Sequence, residues 1–238
     1  MKKIIVTGGS RGIGRACVEL FCEHGCDVAF IYCMNDDAAD DCADETGAFA
    51  IKADLSDPTE AEWAYNKAVE HLGGVDVLVN NAGISESGLV TDVTDEKWHH
   101  VMDTNLSSAF YMSRLASREF VAQQSGVIIN IGSVWGRVGA SCEAVYATSK
   151  AGLRGLTLSM AKELGPSGVR VNCVEPGVID TDMNACYDED DIAALCEETP
   201  LFRIGDPSEV AELVCFLASE KASFITAQII GVDGGFGV

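Results

Sequence analysis

Short apolar segments alternate with amphipathic ones along the whole chain, and this alternation is the feature that most restricts the fold. The strand-like segments are residues 3–7, 27–32, 48–52, 75–79, 127–131, 169–174 and 229–232. The helical patterns between them are residues 13–24, 36–45, 58–72, 95–124, 143–164 and 207–218. Runs this apolar, separated by helices, predict a parallel sheet covered by helices on both faces. We therefore expect a doubly wound α/β sheet of seven strands, with ligands bound beyond the carboxyl ends of the strands.

The length and charge of the chain narrow the class of protein further. A chain of 238 residues without a linker or an internal repeat is expected to form one domain, residues 1–238. Sixteen Lys and Arg against 37 Asp and Glu give a net charge of −21, which disfavours binding to nucleic acid or to an anionic membrane surface. No apolar run approaches the length of a membrane span. The sequence therefore predicts neither a nucleic-acid-binding protein nor a membrane protein.

The ten cysteines of the chain favour a reducing compartment. The apolar run that begins at Ile4 is broken at Gly8, which is too early for an export signal, so we expect a cytoplasmic protein whose thiols stay reduced. The cysteines form no Cys-x-x-Cys pair, and the four histidines do not complete a ligand set. We therefore predict no metal site.

A glycine-rich turn follows the first predicted strand. Gly8, Gly12 and Gly14 allow positive φ angles and close approach of the backbone to a ligand. The helix that starts near Gly12 directs its first amide groups at an anion. Such a turn, directly after a strand and before a helix, is typical of a site for the pyrophosphate of a dinucleotide.

Tyr146 and Lys150 stand four residues apart in a segment predicted to be helical, so their side chains share one face. The ammonium group favours the phenolate and is expected to lower the pKa of the phenol. Tyr146 is therefore a candidate proton donor near neutral pH. An ordinary amphipathic helix with an unrelated Tyr and Lys explains the pair equally simply, so other motifs must decide.

Further motifs follow one another in a characteristic order. Thr7-Gly8-x-x-x-Gly12-x-Gly14 is followed by Asn80-Asn81-Ala82-Gly83, by Asn105, by Ser133, by Tyr146 with Lys150, and by Pro176-Gly177-Val178-Ile179-Asp180-Thr181. This series spans nearly the whole chain and resembles the short-chain dehydrogenase/reductase family, in the branch that contains bacterial 3-oxoacyl-acyl-carrier-protein reductases. The resemblance implies a Rossmann fold and a homotetramer that reduces a ketone, a 3-oxoacyl thioester, with NADPH.

The resemblance also implies roles for individual residues. Ser133 would bond the substrate carbonyl, Tyr146 would protonate its oxygen, and Lys150 would hold the nicotinamide ribose. Asn105 would brace a water that relays protons to Lys150. The implied cofactor contacts are Gly8, Ser10, Arg11, Gly12, Ile13, Gly14, Tyr32, Asp54, Leu55, Asn81, Ala82, Gly83, Tyr146, Lys150, Pro176, Gly177, Val178, Ile179 and Thr181. Without the resemblance, Ser133 would be a strand-end cap and Asn105 an amide inside a helix.

The preference between NAD and NADP depends on the end of the second strand. An acidic residue there would bond the ribose 2′-hydroxyl and repel a 2′-phosphate. Tyr32 stands there instead and Arg11 can reach a phosphate, which favours NADP(H) over NAD(H). Asp36 and Asp37 follow closely and weaken this preference. Asp54 either matches the family residue that binds the adenine amino group or caps the following helix.

Two stretches bear on the substrate. Reductases that act on carrier proteins present one arginine before the fifth strand and another before the sixth. This chain has Gln124 and Ser167 at those positions, and its net negative charge would repel an acidic carrier. The stretch from Ser133 to Glu143 resembles reductases of a 5-aminopentanone group on elongation factor P. Glu143 either pairs with a substrate amine or is an acidic residue at a helix start. Trp135 either shapes the pocket wall or is a packed indole.

Residues 180–205 are expected to form a mobile lid over the substrate. Its apolar contacts to the substrate would be Met183, Tyr187, Leu195 and Leu201. The C-terminal tail resembles a family segment that often packs at a subunit interface. A different class of function is a relative that senses NADP or serves as a structural subunit without turnover, and the presence of Ser133, Tyr146 and Lys150 disfavours it.

Overall fold

Seven parallel strands form one sheet in the computed structural model, which describes residues 1–184 and 188–237. The strands are β1 (Lys3–Thr7), β2 (Asp27–Tyr32), β3 (Phe49–Lys52), β4 (Val77–Asn80), β5 (Gly126–Ile131), β6 (Val169–Pro176) and β7 (Ile229–Val232). Their order is β3-β2-β1-β4-β5-β6-β7, and each neighbouring pair is parallel. The predicted doubly wound sheet is confirmed. The strand order reverses between β1 and β4, which places the expected ligand site at the carboxyl ends of these two strands.

Helices connect the strands. They are α1 (Gly12–Glu23), α2 (Asp36–Thr46), α3 (Pro58–Leu72), α4 (Asp95–Met102), α5 (Ser108–Gln123), α6 (Trp135–Val138), α7 (Ala144–Leu164), α8 (Glu189–Glu198) and α9 (Pro207–Ala218). A π-helical turn, Asp103–Ser107, joins α4 to α5, where the sequence predicts one continuous helix. The helices α6 and α8 are additions to the predicted elements, and Tyr187 lies outside the described residues. Within those residues, no helix is both long and apolar enough to cross a membrane.

Alternation along the strands sends successive side chains to opposite faces of the sheet, where two cores form. Ile4 and Val6 of β1 belong to one core, together with Val214 of α9. Ile5 belongs to the other core, together with Phe120 of α5. All five side chains are completely buried. Because helices cover both faces, both sets of side chains on a strand must be apolar, which explains the continuous apolar runs in the sequence.

Candidate active site

A cleft of about 490 Å³ runs along the carboxyl ends of the strands. The predicted site residues that line it are Gly8, Ser10, Arg11, Gly12, Ile13, Tyr32, Asp54, Leu55, Asn81, Ala82, Gly83, Ser133, Trp135, Glu143, Tyr146, Lys150, Pro176, Gly177, Val178, Ile179, Thr181 and Met183. Gly14 and Asn105 are buried behind its wall. The cleft is also lined by Ser85, Ser87 and His100, which the sequence did not predict. The only signal for the two serines was their position in the loop after a predicted strand.

The glycine turn after β1 leaves no room for side chains at its two ends. Gly8 and Gly12 have φ angles of 67° and 52°, in the left-handed region that favours glycine. A Cβ atom on Gly14 would lie only 2.0 Å from the carbonyl oxygen of Gly8. This close approach sets the first turn of α1, whose amides have no partners within the helix, at the edge of the cleft. The turn therefore forms a cradle for an anionic group such as a pyrophosphate.

Hydrogen bonds join the ends of β1 and β4 where the strand order reverses. The buried hydroxyl of Thr7 accepts from the amides of Asn81, at 2.9 Å, and Ala82, at 3.0 Å. The Asn81 side-chain amide donates to the carbonyl oxygens of Thr7, at 3.1 Å, and Gly8, at 3.0 Å. The glycine turn and the loop after β4 are therefore held together as one floor of the cleft.

Tyr146 and Lys150 lie on one face of α7, as the spacing predicts, with the ammonium nitrogen 5.6 Å from the centre of the phenol ring. Both side chains are buried. The Lys150 ammonium donates to the carbonyl oxygen of Ile131, at the end of β5, at 2.9 Å. Ser133 follows two residues later and lines the same cleft. A hydroxyl, a phenol and an ammonium group therefore converge at the end of β5.

Burial dominates the acidity of this pair. Burial raises the pKa of the Tyr146 phenol, and the net value is about 12. The hydrogen bond with Ser133 lowers this pKa, and the negative charge of Glu143 raises it. The net shift of the phenol's pKa is therefore upward, the opposite of the lowering that the spacing to Lys150 predicts, because burial outweighs the other contributions. Burial also lowers the pKa of Lys150 to about 8. At neutral pH, Tyr146 consequently keeps the proton that a general acid needs.

Asn105 lies in the π-helical turn, a type of irregularity often found at functional sites. Its side-chain oxygen accepts from the amide of Ile84 at 2.8 Å, and its side-chain nitrogen donates to the carbonyl oxygen of Ile84 at 2.9 Å and to Ser149 Oγ at 3.0 Å. Ser149 donates to the carbonyl oxygen of Tyr146 at 2.7 Å. Asn105 therefore ties the loop after β4 to α7. The relay water remains a prediction.

Tyr32, the last residue of β2, lines the cleft at the end where the sequence predicts the adenosine ribose. Asp36 belongs to the first turn of α2, and its carboxylate is bonded by Lys52 at 2.8 Å and by the Tyr32 hydroxyl, contacts that lower the pKa of the carboxyl. Arg11 lines the cleft and forms an exposed ion pair with Asp182, at 3.1 Å. Arg11 therefore lines this end of the cleft, and the Asp36 carboxylate of α2 is already bonded to Lys52 and Tyr32.

Asp54 follows β3 and lines the cleft. Its carboxylate accepts from the amide of Ser56 at 2.9 Å and from the hydroxyl of Ser56 at 2.7 Å. The cap of α3 is Asp57, which accepts from the amide of Thr59 at 2.6 Å. The alternative in which Asp54 caps this helix is therefore wrong, and its position fits a contact to an adenine ring.

Glu143 directs its carboxylate into the substrate end of the cleft. It accepts hydrogen bonds from Ser85 Oγ, at 2.8 Å, and from Ser87 Oγ, instead of capping the amides of α7. Trp135 combines both of its predicted roles, because it lines the cleft and also packs edge-on against Phe236, with ring centres 5.2 Å apart. Met183 and Leu195 line the cleft as predicted, whereas Leu201 is exposed and is not among the residues that line it.

Comparison with known proteins identifies the family. The chain matches the family model described as Enoyl-(Acyl carrier protein) reductase over residues 8–237. It is 40% identical over 241 residues to the 3-oxoacyl-[acyl-carrier-protein] reductase of Chlamydia muridarum and 39% identical over 236 residues to that of Vibrio cholerae, in each case over 98% of this chain and 96% of the relative. A mutant of the Serratia marcescens short-chain dehydrogenase/reductase matches the structure with a TM-score of 0.93 at 38% identity, over 100% of this chain and 98% of that one. The chain belongs to the short-chain dehydrogenase/reductase family.

Membership of the short-chain dehydrogenase/reductase family makes the chain an oxidoreductase that acts on a C=O or CH–OH group, rather than a sensor without turnover. It also implies a nicotinamide cofactor. The residues fit such a cofactor, because Gly8 and Gly12 line the cleft with backbone alone, in left-handed conformations that favour glycine, and the cleft continues from this turn to Tyr146. Within the described residues, no group of three or more His, Cys, Asp or Glu side chains is placed to hold a metal ion.

Proposed function

We propose that this enzyme reduces the ketone of a 3-oxoacyl thioester to a secondary alcohol with NADPH. The observation that carries the proposal is the meeting of Ser133, Tyr146 and Lys150 at one point of the cleft, with Tyr146 in its protonated form. A hydroxyl and a phenol beside each other suit a carbonyl oxygen, which accepts two hydrogen bonds and then a proton. The names of the relatives supply the substrate class.

The chain's own groups would divide the work at the carbonyl. A bound nicotinamide supplies a hydride to the carbonyl carbon. Ser133 donates a hydrogen bond to the substrate oxygen, and Tyr146 transfers its phenolic proton to that oxygen as negative charge develops there. Lys150 stabilises the phenolate that remains and orients the ribose. Asn105 holds the loop after β4 against α7, so that these groups keep their positions.

The preference for NADP over NAD rests on charges at the adenosine end. A 2′-phosphate would meet the guanidinium of Arg11, which lines the cleft. Asp36 belongs to α2 and is paired with Lys52, so its charge is partly compensated. Arg11 would exchange its exposed partner Asp182 for the phosphate, and an exposed ion pair of this kind is worth only about 0–1 kcal/mol.

The arginines expected to recognise a carrier are replaced by other residues in this chain. Gln124 and Ser167 occupy the expected arginine positions and lie near each other, since a Cβ atom on Gly168 would be 2.6 Å from the Gln124 carbonyl oxygen. Arg137 forms an ion pair within the chain and Arg170 donates to backbone carbonyls, so both guanidinium groups are engaged. A net charge of −21 repels an acidic carrier. We therefore assign recognition to the 3-oxoacyl group.

A second candidate substrate is a 5-aminopentanone group on elongation factor P. The observation that favours it is the Glu143 carboxylate, which Ser85 and Ser87 hold in the substrate end of the cleft. A carboxylate fixed beside the site of reduction suits a substrate with an ammonium group. It gives no benefit to an uncharged acyl chain.

The experiment that separates the two candidates follows NADPH oxidation with a 3-oxoacyl thioester and, in parallel, with 5-aminopentanone-modified elongation factor P. The variants are Glu143→Gln, which precedes α7, and, as a control, Glu163→Gln on the exposed face of α7. Preference for the thioester, unaffected by either variant, supports the first candidate. Preference for the amino-ketone, reduced about tenfold in Glu143→Gln alone, supports the second. Absence of NADPH oxidation with both substrates contradicts both candidates.

We also propose a cytoplasmic homotetramer with a lid at residues 180–205. Partly exposed apolar side chains support the oligomer: Trp98 of α4, Phe110 of α5 and Leu158 of α7 are 40%, 42% and 39% exposed. The lid is supported by α8, in which no described residue is fully buried. Light scattering of the purified protein tests the oligomer, and a monomer would contradict it.

A further inference from the structure

The four-residue helix α6 lies between the catalytic helix and the end of the chain. A helix this short is unstable alone, so its neighbours determine its orientation. On one side, Gly136 approaches the backbone of α7, where a Cβ atom would lie 2.8 Å from the carbonyl carbon of Lys150. Trp135 comes two residues after Ser133. Any change in the orientation of α6 therefore moves the Trp135 indole relative to the reacting groups.

On its other side, α6 meets residues Asp233–Gly237, which we name the C-terminal turn. Arg137 donates to a carboxylate oxygen of Asp233 at 2.7 Å and to the carbonyl oxygen of Phe236 at 3.3 Å. The ring of Phe236 meets the Trp135 indole at an angle of 77°. Asp233 and Phe236 are 13% and 3% exposed. The Arg137 side chain is 33% exposed, so the ion pair lies at the surface end of these contacts, whereas Phe236 is buried against the Trp135 indole.

The C-terminal turn is itself fixed to the segment that follows β6. The amide of Gly177 donates to the carbonyl oxygen of Val232 at 3.0 Å, and a Cβ atom on Gly177 would lie 2.8 Å from the Cα atom of Asp233. The Asp233 carboxylate accepts from the amide of Gly235 at 3.0 Å, which closes the turn. Because Gly177 lines the cleft, the turn fixes α6 relative to the cleft wall.

We propose that the C-terminal turn is a specificity element, in which the Arg137–Asp233 ion pair and Phe236 hold Trp135 as a fixed wall at the substrate end of the cleft. The inference rests on the proposed ketone reduction. Trp135 determines specificity by contacting the group beside the ketone, and Arg137 and Asp233 are positioning residues. A fixed indole admits a slim group and rejects a bulky one, because overpacking a close-fitting site is unfavourable.

The test breaks the ion pair without altering the lining of the cleft. The variants are Arg137→Met, Asp233→Asn and their combination, with Glu70→Gln, which breaks an exposed ion pair on α3, as the control. With NADPH, kcat/KM is measured for ethyl acetoacetate and for the bulkier ethyl benzoylacetate. We expect the preference for the slim ester to fall about tenfold in both single variants, without a further fall in the combination. The affinity for NADPH should change by less than about twofold in these variants, and so should the ester preference of the Glu70→Gln control.

A second measurement follows Trp135 directly. In a protein with Trp63→Phe and Trp98→Phe, Trp135 is the remaining indole. We expect acrylamide to quench its fluorescence more strongly when Arg137→Met is added. Unchanged quenching would overturn the proposal, and so would increased quenching with an unchanged preference between the esters. Inactivity of the unaltered protein with both esters and with a 3-oxoacyl thioester would refute the proposed function itself, and the inference would fall with it; activity with the thioester but with neither ester would overturn the inference alone.

Discussion

Replacing Lys150 by Met should stabilise the protein while it impairs catalysis. Burial lowers the pKa of Lys150 from 10.5 to about 8. One pKa unit corresponds to about 1.4 kcal/mol, so the buried ammonium group destabilises the folded state by about 3 kcal/mol at pH 7. Methionine keeps the unbranched apolar stem and removes the charge. Loss of the hydrogen bond to the Ile131 carbonyl costs about 1 kcal/mol, which leaves a net gain of about 2 kcal/mol.

The pH dependence of this gain has a definite sign. The unfolded chain keeps the Lys150 proton up to its ordinary pKa of 10.5, whereas the folded chain loses it near pH 8. The penalty is therefore complete below pH 8 and disappears as the pH rises from 8 to 10.5. Urea unfolding of the unaltered protein and of Lys150→Met at pH 7 and at pH 10, at one protein concentration, measures this penalty. Lys162→Met, at an exposed position of the same helix, should change stability by less than about 0.5 kcal/mol. A loss of stability in Lys150→Met at pH 7, or a gain in stability that is the same at pH 7 and pH 10, would refute the reasoning.

Three further outcomes are expected. Gly14→Ala should weaken cofactor binding at least about tenfold in a fluorescence titration, because its Cβ atom would lie 2.0 Å from a carbonyl oxygen. In contrast, the Cβ atom of Gly155→Ala would meet open space, so this variant should raise the unfolding free energy by about 0.5–1 kcal/mol. Arg11→Ala should raise KM for NADPH about tenfold and leave KM for NADH unchanged in steady-state assays; an equal rise for both would contradict the phosphate contact. In the reduction direction, kcat/KM should fall as the pH rises through about 8, where Lys150 loses its proton, and a flat profile to pH 10 would argue against its role.

Most of the fold follows from local signals in the sequence. The bounds of β1, β2 and β7 are predicted to the residue, because each apolar run ends at a polar or glycine-rich loop. The bounds of α3 and α9 are also predicted to the residue, since Pro58 and Pro207 each follow an aspartate cap. The strand β6 continues two residues beyond its prediction, to Pro176. Motif order locates the cleft correctly, because parallel strands all end at the same edge.

The remaining features depend on contacts between distant segments. The helix α6 is too short to show a period, and the five-residue π-helical turn around Asn105 is too short to be distinguished by pattern from the α-helices beside it. The direction of the Glu143 carboxylate is set by Ser85 and Ser87, more than 50 residues earlier in the chain. The pKa of Tyr146 depends on how completely the fold buries it, which the spacing to Lys150 does not reveal.

The central claim is that Tyr146 gives its proton to a ketone oxygen. The most direct measurement is the rate of NADPH oxidation with a 3-oxoacyl thioester by the unaltered protein, by Tyr146→Phe and by the control Tyr111→Phe, a half-buried tyrosine of α5. Tyr146→Phe removes the proton donor and keeps the ring, so kcat should fall by about 10²–10⁴-fold, while NADPH affinity stays within about twofold and the control keeps its activity. A Tyr146→Phe protein whose kcat stays within a few-fold of the unaltered enzyme would contradict the account.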